Sequence, residues 1–175
     1  MALVFQYGSN TSSSEMNGED RLRGAARPLG LVCTRDPYEF DFDVRSKKRD
    51  CFASDIRKSI KGRTIWGALY DVPDALMSRD TAPPGRKSMD AIEGEGTNYK
   101  RTKLAVRWRN GKPVRQAVIT YTVINPVKTG ATSREYAALI LAGLREHKAP
   151  KRYIAYVKQR VADSNPDLKS VVSDF

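Results

Sequence analysis

Two short segments of this chain carry the residue types that acid–base chemistry on a small anionic substrate requires. The first is Tyr7-Gly8-Ser9-Asn10, where the apolar run Ala2-Leu3-Val4-Phe5 meets a glycine. Gly8 tolerates positive φ, and Ser9 and Asn10 are good helix N-caps. The corner is therefore expected to aim several backbone N–H groups at one small anionic or carbonyl group. The second segment is Met89-Asp90-Ala91-Ile92-Glu93-Gly94-Glu95-Gly96, which leads to Tyr99 and sets a carboxylate among glycines just before a strand. Glu93 is the candidate proton carrier there, and Glu95, two residues on, competes with it. The ordinary reading of both is a solvated loop glutamate. Asp90 reads as a local cap or turn residue.

The rest of the composition removes other chemistries. The only histidine, His147, stands between Glu146 and Lys148 on an expected helix surface, so neither Cys33 nor Cys51 has a partner to lower its pKa. Both cysteines read as free thiols. One histidine and two scattered cysteines build no metal site of ordinary ligand spacing, no paired carboxylates of glycosidase type stand out, and no cofactor is expected.

The formal net charge of +11 over 175 residues raises nucleic-acid binding as a rival function. The cations are spread along the chain without a recognisable nucleic-acid module, which favours solvated surface. A positive field also steers small anions towards a cleft. No apolar run approaches the ~20 residues that span a bilayer, and the N-terminal apolar stretch is short and lacks a preceding basic segment. The expected protein is cytoplasmic, with no membrane contact.

Residues 1–163 are expected to form one domain, followed by a polar, poorly ordered tail over 164–175. Ala2 to Gln6 reads as a buried strand, and Thr11 to Glu19 as a short helix or loop. Tyr38, Phe40, Phe42 and Val44 alternate with Glu39, Asp41 and Asp43, the pattern of a half-buried strand. Thr64 to Tyr70 is apolar on both faces, as a central strand is. A short helix is expected over Asp74 to Ser78. One strand is expected from Tyr99 to Trp108, turning at Asn110-Gly111 into a partner over Val114 to Val123. Thr132 and Glu135 fit a capping box for a helix ending near His147, and Pro150 opens a second helix that stops at Asn165-Pro166. The expected fold is α+β, with a mostly antiparallel sheet curled into a small barrel and flanked by helices.

Taken in order, these residues resemble the γ-glutamylcyclotransferases and their AIG2-like relatives. Tyr7-Gly8-Ser9-Asn10 after a first strand is similar to that family's signature loop, and Trp66-Gly67-Ala68-Leu69-Tyr70 to its central strand. Met89-Asp90-Ala91-Ile92-Glu93-Gly94 followed by Tyr99 resembles the segment that holds the family's catalytic glutamate. Tyr121 in a late strand, then Ser133 and Tyr136 opening a helix, match its remaining landmarks. Thr11 and Met89 depart from the usual residues, and the loop Thr81 to Lys87 is longer than in many members.

The resemblance implies a cofactor-free reaction on a small γ-glutamyl substrate. The α-amine attacks the γ-carbonyl, giving 5-oxoproline and releasing the attached amine or amino acid, with Glu93 as general acid and base. Such a role requires burial, because an exposed glutamate with a pKa of about 4.3 is a poor base for an ammonium. The resemblance places Gly8, Ser9 and Asn10 at the glutamyl carboxylate or the developing oxyanion, with Tyr7, Tyr99, Tyr121 and Tyr136 around the pocket. A catalytically silent relative that binds a small carboxylated ligand is the competing reading of the same site.

Overall fold

A computed structural model describes residues 1–170. Its strands are β1 (Ala2–Gln6), β2 (Arg27–Thr34), β3 (Tyr38–Ser46), β4 (Cys51–Lys58), β5 (Trp66–Val72), β6 (Tyr99–Leu104), β7 (Val106–Trp108) and β8 (Val118–Val123). The helices are α1 (Ser13–Met16), α2 (Met89–Glu93), α3 (Arg134–Glu146) and α4 (Lys151–Ser164), with single 3-10 turns at Ser9–Thr11, Asp74–Leu76 and Pro166–Leu168. Six strands form one sheet in the order β6-β8-β1-β5-β2-β7, and β3 and β4 form a separate hairpin. Only the β1–β8 pair in the sheet is parallel. No helix among the described residues is long and apolar enough to cross a membrane.

The expected strand from Tyr99 to Trp108 is two strands. It divides at Ala105, and its halves lie at opposite ends of the strand order: β6 pairs with β8, and β7 with β2. One residue spans at most about 3.6 Å of chain, so the two outer strands can sit either side of Ala105 only if the sheet rolls round on itself. That roll produces the expected curled, mostly antiparallel barrel. Gly111 makes the tight turn after β7, with its N–H donating to Trp108 O at 2.9 Å, and the returning chain pairs with β7 through a single bridge, Arg107 with Pro113, with the next strand starting only at Val118.

β1 lies between β5 and β8, which pair both its edges, and its two faces are buried in different clusters. Phe5 and Tyr7 face a core that includes Phe40, Phe42, Ile140 and Leu141, while Val4 faces a second cluster with Leu22, Tyr70 and Met89. The alternation expected in β3 breaks at Asp43. A bulge between Phe42 and Val44 leaves Asp43 as the extra residue and turns it inward, where Arg57 Nη1 lies 3.2 Å away.

Three further expectations shift. The N-cap of α3 is Ser133, whose Oγ accepts from Tyr136 N at 3.1 Å, while Thr132 Oγ1 is buried without a partner. His147 is not on a helix surface, since its side chain is 8% exposed and packs edge-on to Tyr70. The tail expected from residue 164 is anchored at its start: Asn165 donates to Thr132 O at 2.8 Å and Leu168 is buried. Residues 171–175 of that tail lie outside the described residues.

Helix α3 packs directly on the backbone that follows β1. A Cβ on Gly143 would sit 2.3 Å from Ser12 N and 2.4 Å from Thr11 C, so no larger residue fits without moving that backbone. Gly143→Ala is expected to lower the unfolding free energy by about 1–3 kcal/mol in urea titration, because overpacking forces rigid main chain apart.

Candidate active site

The chain leaves β1 at Gln6 and enters the 3-10 turn Ser9–Thr11, with Thr11 N donating to Gly8 O at 3.0 Å. Gly8 does not adopt positive φ (its φ is −93°), and neither Ser9 nor Asn10 caps a helix. Glycine is required there for space instead, since a Cβ would lie 2.8 Å from Ser54 Oγ and 3.2 Å from Tyr136 Oη. Ser9 and Asn10 lie within the turn and are buried. At the start of a helical turn the first N–H groups have no partner within it, which leaves the Ser9 and Asn10 amides available to a ligand.

Glu93 is not in a loop. It is the last residue of α2, capped at its start by Ser88 Oγ, which accepts from Ala91 N at 3.2 Å, and at its end by Gly94 in the left-handed region at φ 68°. Helix α2 is held by Asp90, which is no cap but a buried ion-pair partner. Arg101 donates to both Asp90 oxygens at 2.7 Å, and Tyr121 Oη donates to Oδ1 at 2.9 Å. Glu95 does not line the cavity and lies 3.7 Å from Arg79.

The two segments meet at one oxygen. Asn10 Nδ2 donates to Glu93 Oε1 at 2.8 Å, and Gln6 Nε2 donates to the same atom at 3.0 Å. Glu93 Oε2 has no hydrogen-bond partner among the described residues. Asn10 cannot turn its amide round, because Arg21 Nη1 donates to its Oδ1 at 3.0 Å and arginine has no acceptor to offer. Arg21 is anchored in turn by Glu15 at 2.6 Å. Burial raises the Glu93 pKa above the usual carboxylate range, while the Asn10 and Gln6 hydrogen bonds and the Arg21 charge oppose the rise.

All eight residues singled out from the sequence, Tyr7, Gly8, Ser9, Asn10, Glu93, Tyr99, Tyr121 and Tyr136, line one inner cup of about 30 Å³. The tyrosine hydroxyls are already engaged. Tyr7 donates to Tyr121 O at 2.7 Å, Tyr99 to Ser54 O at 3.1 Å, and Tyr136 lies 3.2 Å from Ser54 N and 3.1 Å from its Oγ. Burial pushes the Tyr7, Tyr99, Tyr121 and Tyr136 phenols up, so the walls are uncharged. Ser9, Asn10, Glu93, Tyr99 and Tyr136 are shared with an outer cavity of about 410 Å³.

Gln6, Arg21 and Ser54 complete the cup and its support, and sequence reasoning missed them. Gln6 had one available signal, a polar residue at the buried end of an otherwise apolar strand. Arg21 and Ser54 had none. Beneath Tyr7 lies Asp55, also missed, whose Oδ1 accepts from Val123 N at 2.9 Å while its Oδ2 is buried without a partner. Burial pushes its pKa up to about 6, against a favourable Val123 N–H and with the Asp43 charge adding to the rise.

Two outcomes follow from this electrostatic arrangement. Removing the Asn10 donor takes away a group that favours the charged carboxylate. Asn10→Ala is therefore expected to move the Glu93 titration upward in carboxyl-resolved NMR. Asp55 binds a proton more tightly folded than unfolded. Its contribution to stability is thus complete below the unfolded carboxylate pKa and is lost as pH rises towards 6. Asp55→Asn is expected to flatten that decline between pH 4 and 6 and to gain about 2–3 kcal/mol on the wild type at neutral pH by denaturant titration.

No match was found among curated proteins. Among solved structures, an uncharacterized human protein, LOC79017, is similar at TM-score 0.74 and 21% identity, over 90% of this chain and 86% of that one. A γ-glutamyl cyclotransferase is similar at TM-score 0.74 and 17% identity, over 99% of both chains. YkqA from Bacillus subtilis is similar at TM-score 0.73 and 19% identity, over 91% of this chain but 54% of its own. These likenesses show a shared fold, the one seen in a γ-glutamyl cyclotransferase. The sequence profile of the AIG2-like family matches residues 64–157, which is more than half of the sequence and takes in Glu93. The chain belongs to the AIG2-like family.

Proposed function

We propose that residues 1–163 act as one cyclotransferase domain, converting a γ-glutamyl amine or amino acid into 5-oxoproline and the released amine. The observation that carries this reading is the buried Glu93 carboxylate, fixed through Oε1 by Asn10 and Gln6, with Oε2 left without a hydrogen-bond partner among the described residues in a cup that Ser9 and Asn10 also line. A γ-glutamyl compound carries its own nucleophile, so the protein has to fold the substrate, move protons and stabilise an oxyanion.

In this reading the Ser9 and Asn10 amides receive the glutamyl carboxylate or the developing oxyanion. Glu93 takes a proton from the α-ammonium, and the freed amine forms the new C–N bond at the γ-carbonyl carbon. The tetrahedral oxyanion then collapses as Glu93 returns that proton to the leaving nitrogen and the old amide bond breaks, and the new ring nitrogen gives up its second proton to the released amine, which departs as an ammonium. No water is consumed. Burial makes Glu93 a better base than an exposed glutamate, and its hydrogen bonds and Arg21 keep the ionised form accessible. The rings of Tyr7, Tyr99 and Tyr136 keep solvent from the reacting atoms.

A mass-spectrometric screen of γ-glutamyl compounds is expected to find 5-oxoproline release without added cofactor. Glu93→Gln keeps the side-chain shape but cannot accept the proton, and is expected to reduce kcat by about 10²–10⁴ with little change in thermal stability. Full turnover by that variant, or saturable binding with no turnover of any γ-glutamyl compound by the wild type, would falsify the catalytic reading.

A further inference from the structure

Beside Ser9, in the turn already assigned to the ligand, the hydroxyls that line the inner cup belong to Tyr7, Tyr99, Tyr121, Tyr136 and Ser54. Each has one proton to place. Tyr7 places its own on Tyr121 O at 2.7 Å, Tyr99 on Ser54 O at 3.1 Å and Tyr121 on Asp90 Oδ1 at 2.9 Å. Tyr136 and Ser54 are left with each other. Their oxygens are 3.1 Å apart and Tyr136 Oη also accepts from Ser54 N at 3.2 Å, while neither hydroxyl has another partner among the described residues.

Two protons therefore share one contact. Whichever oxygen donates across it, the other keeps an O–H without an acceptor. A phenol is the stronger donor and an alcohol oxygen the better acceptor, so Tyr136 donates to Ser54 Oγ and the spare proton is that of Ser54. Both oxygens border the open side of Gly8. A Cβ built on that glycine would lie 2.8 Å from Ser54 Oγ and 3.2 Å from Tyr136 Oη, and no other heavy atom outside Gly8 and its chain neighbours comes within 4 Å of it. Ser54 is 2% exposed, which cuts its hydroxyl off from bulk solvent. A ligand in the cup supplies the acceptor that the protein does not.

We infer that Ser54 Oγ–H is a substrate-binding donor, polarised by Tyr136 and given to an anionic oxygen of the γ-glutamyl group in the cup. The inference rests on the cyclotransferase reading and adds to it a donor from β4, outside the N-terminal turn. The oxygen is the glutamyl carboxylate or the oxyanion that develops at the γ-carbonyl, two forms of one chemistry. The pair also contains its own substitute. Ser54→Ala releases the Tyr136 proton to the same ligand and Tyr136→Phe leaves the Ser54 proton in place, so the donor disappears only when both hydroxyls do.

The test measures kcat and KM for 5-oxoproline release from γ-glutamylalanine, or from another γ-glutamyl compound if that is the better substrate, with wild type, Ser54→Ala, Tyr136→Phe and the double variant. Thermal unfolding follows the folding of each. Each single change is expected to lower kcat/KM about threefold and the double about a hundredfold, well beyond the product of about nine, because only the double loses the hydrogen bond to an anionic oxygen. A loss in kcat assigns the donor to the oxyanion, and a loss in KM alone assigns it to the carboxylate. Where the double variant melts early, Ser54→Cys combined with Tyr136→Phe fills the same space with only a weak S–H donor, and the same excess is expected. A double variant that loses no more than the product of the singles overturns the donor and leaves the cyclotransferase reading standing. If no γ-glutamyl compound is turned over, the reaction falls, and calorimetric titration of γ-glutamylalanine into the same four proteins decides the donor by the same excess, read in Kd. An affinity loss within the product then overturns the donor as well, and absent binding to the wild type overturns both.

Discussion

One carboxylate oxygen, Oε1 of Glu93, joins parts of the chain that are more than 80 residues apart. Gln6 reaches it from the end of β1 and Asn10 from the turn that follows, while Glu93 itself arrives on α2. Burying a carboxylate is costly unless hydrogen bonds replace the water it loses, so this oxygen stays in place only if all three elements are held in register. The surroundings provide that rigidity. Arg21 locks Asn10, the Asp90–Arg101–Tyr121 cluster fixes α2 to β6 and β8, and Gly143 lets α3 press directly on the turn.

The tyrosines around the cup contribute mainly through their rings. Each hydroxyl is occupied by a backbone group, Ser54 or Asp90, so the surfaces turned to the cavity are aromatic. A polar oxygen set in an aromatic cup interacts more strongly with a charged ligand than it would in water, because little solvent remains to screen it. Ser9 and Asn10 line the same low-dielectric space.

Much of the frame was legible in the sequence because single residues reported it. β1 and β5 are apolar on both faces, as strands covered above and below the sheet are, and α4 shows its buried stripe of Tyr153, Val157 and Val161 at helical spacing. The division at Ala105 was not legible, since Leu104, Val106 and Trp108 continue one alternation while the chain changes partner strands. The bulge at Asp43 and the shift of the α3 cap from Thr132 to Ser133 were hidden for the same reason: tertiary packing chose between local options of similar cost. At the site, Glu93 stood out through the resemblance carried by its neighbours. The short helix that presents it is too brief to show a helical period, although Ser88 and Gly94 are its start and stop signals. The Glu15–Arg21–Asn10 chain leaves no pattern at all, because it depends only on which segments folding brings together.

The position of β1 also bears on how the molecule is made. β1 pairs with β5, some 65 residues later in the chain, and with β8, more than 110 residues later. Until β5 has been synthesised this apolar segment has no ladder to join, its other edge stays open until β8 follows, and loop closures of this length are among the slower steps of folding. The cup that joins Gln6 and Asn10 to Glu93 is therefore one of the last features the nascent polypeptide acquires, and translation that stops short of Val118 leaves β1 with one open edge for chaperones to shield.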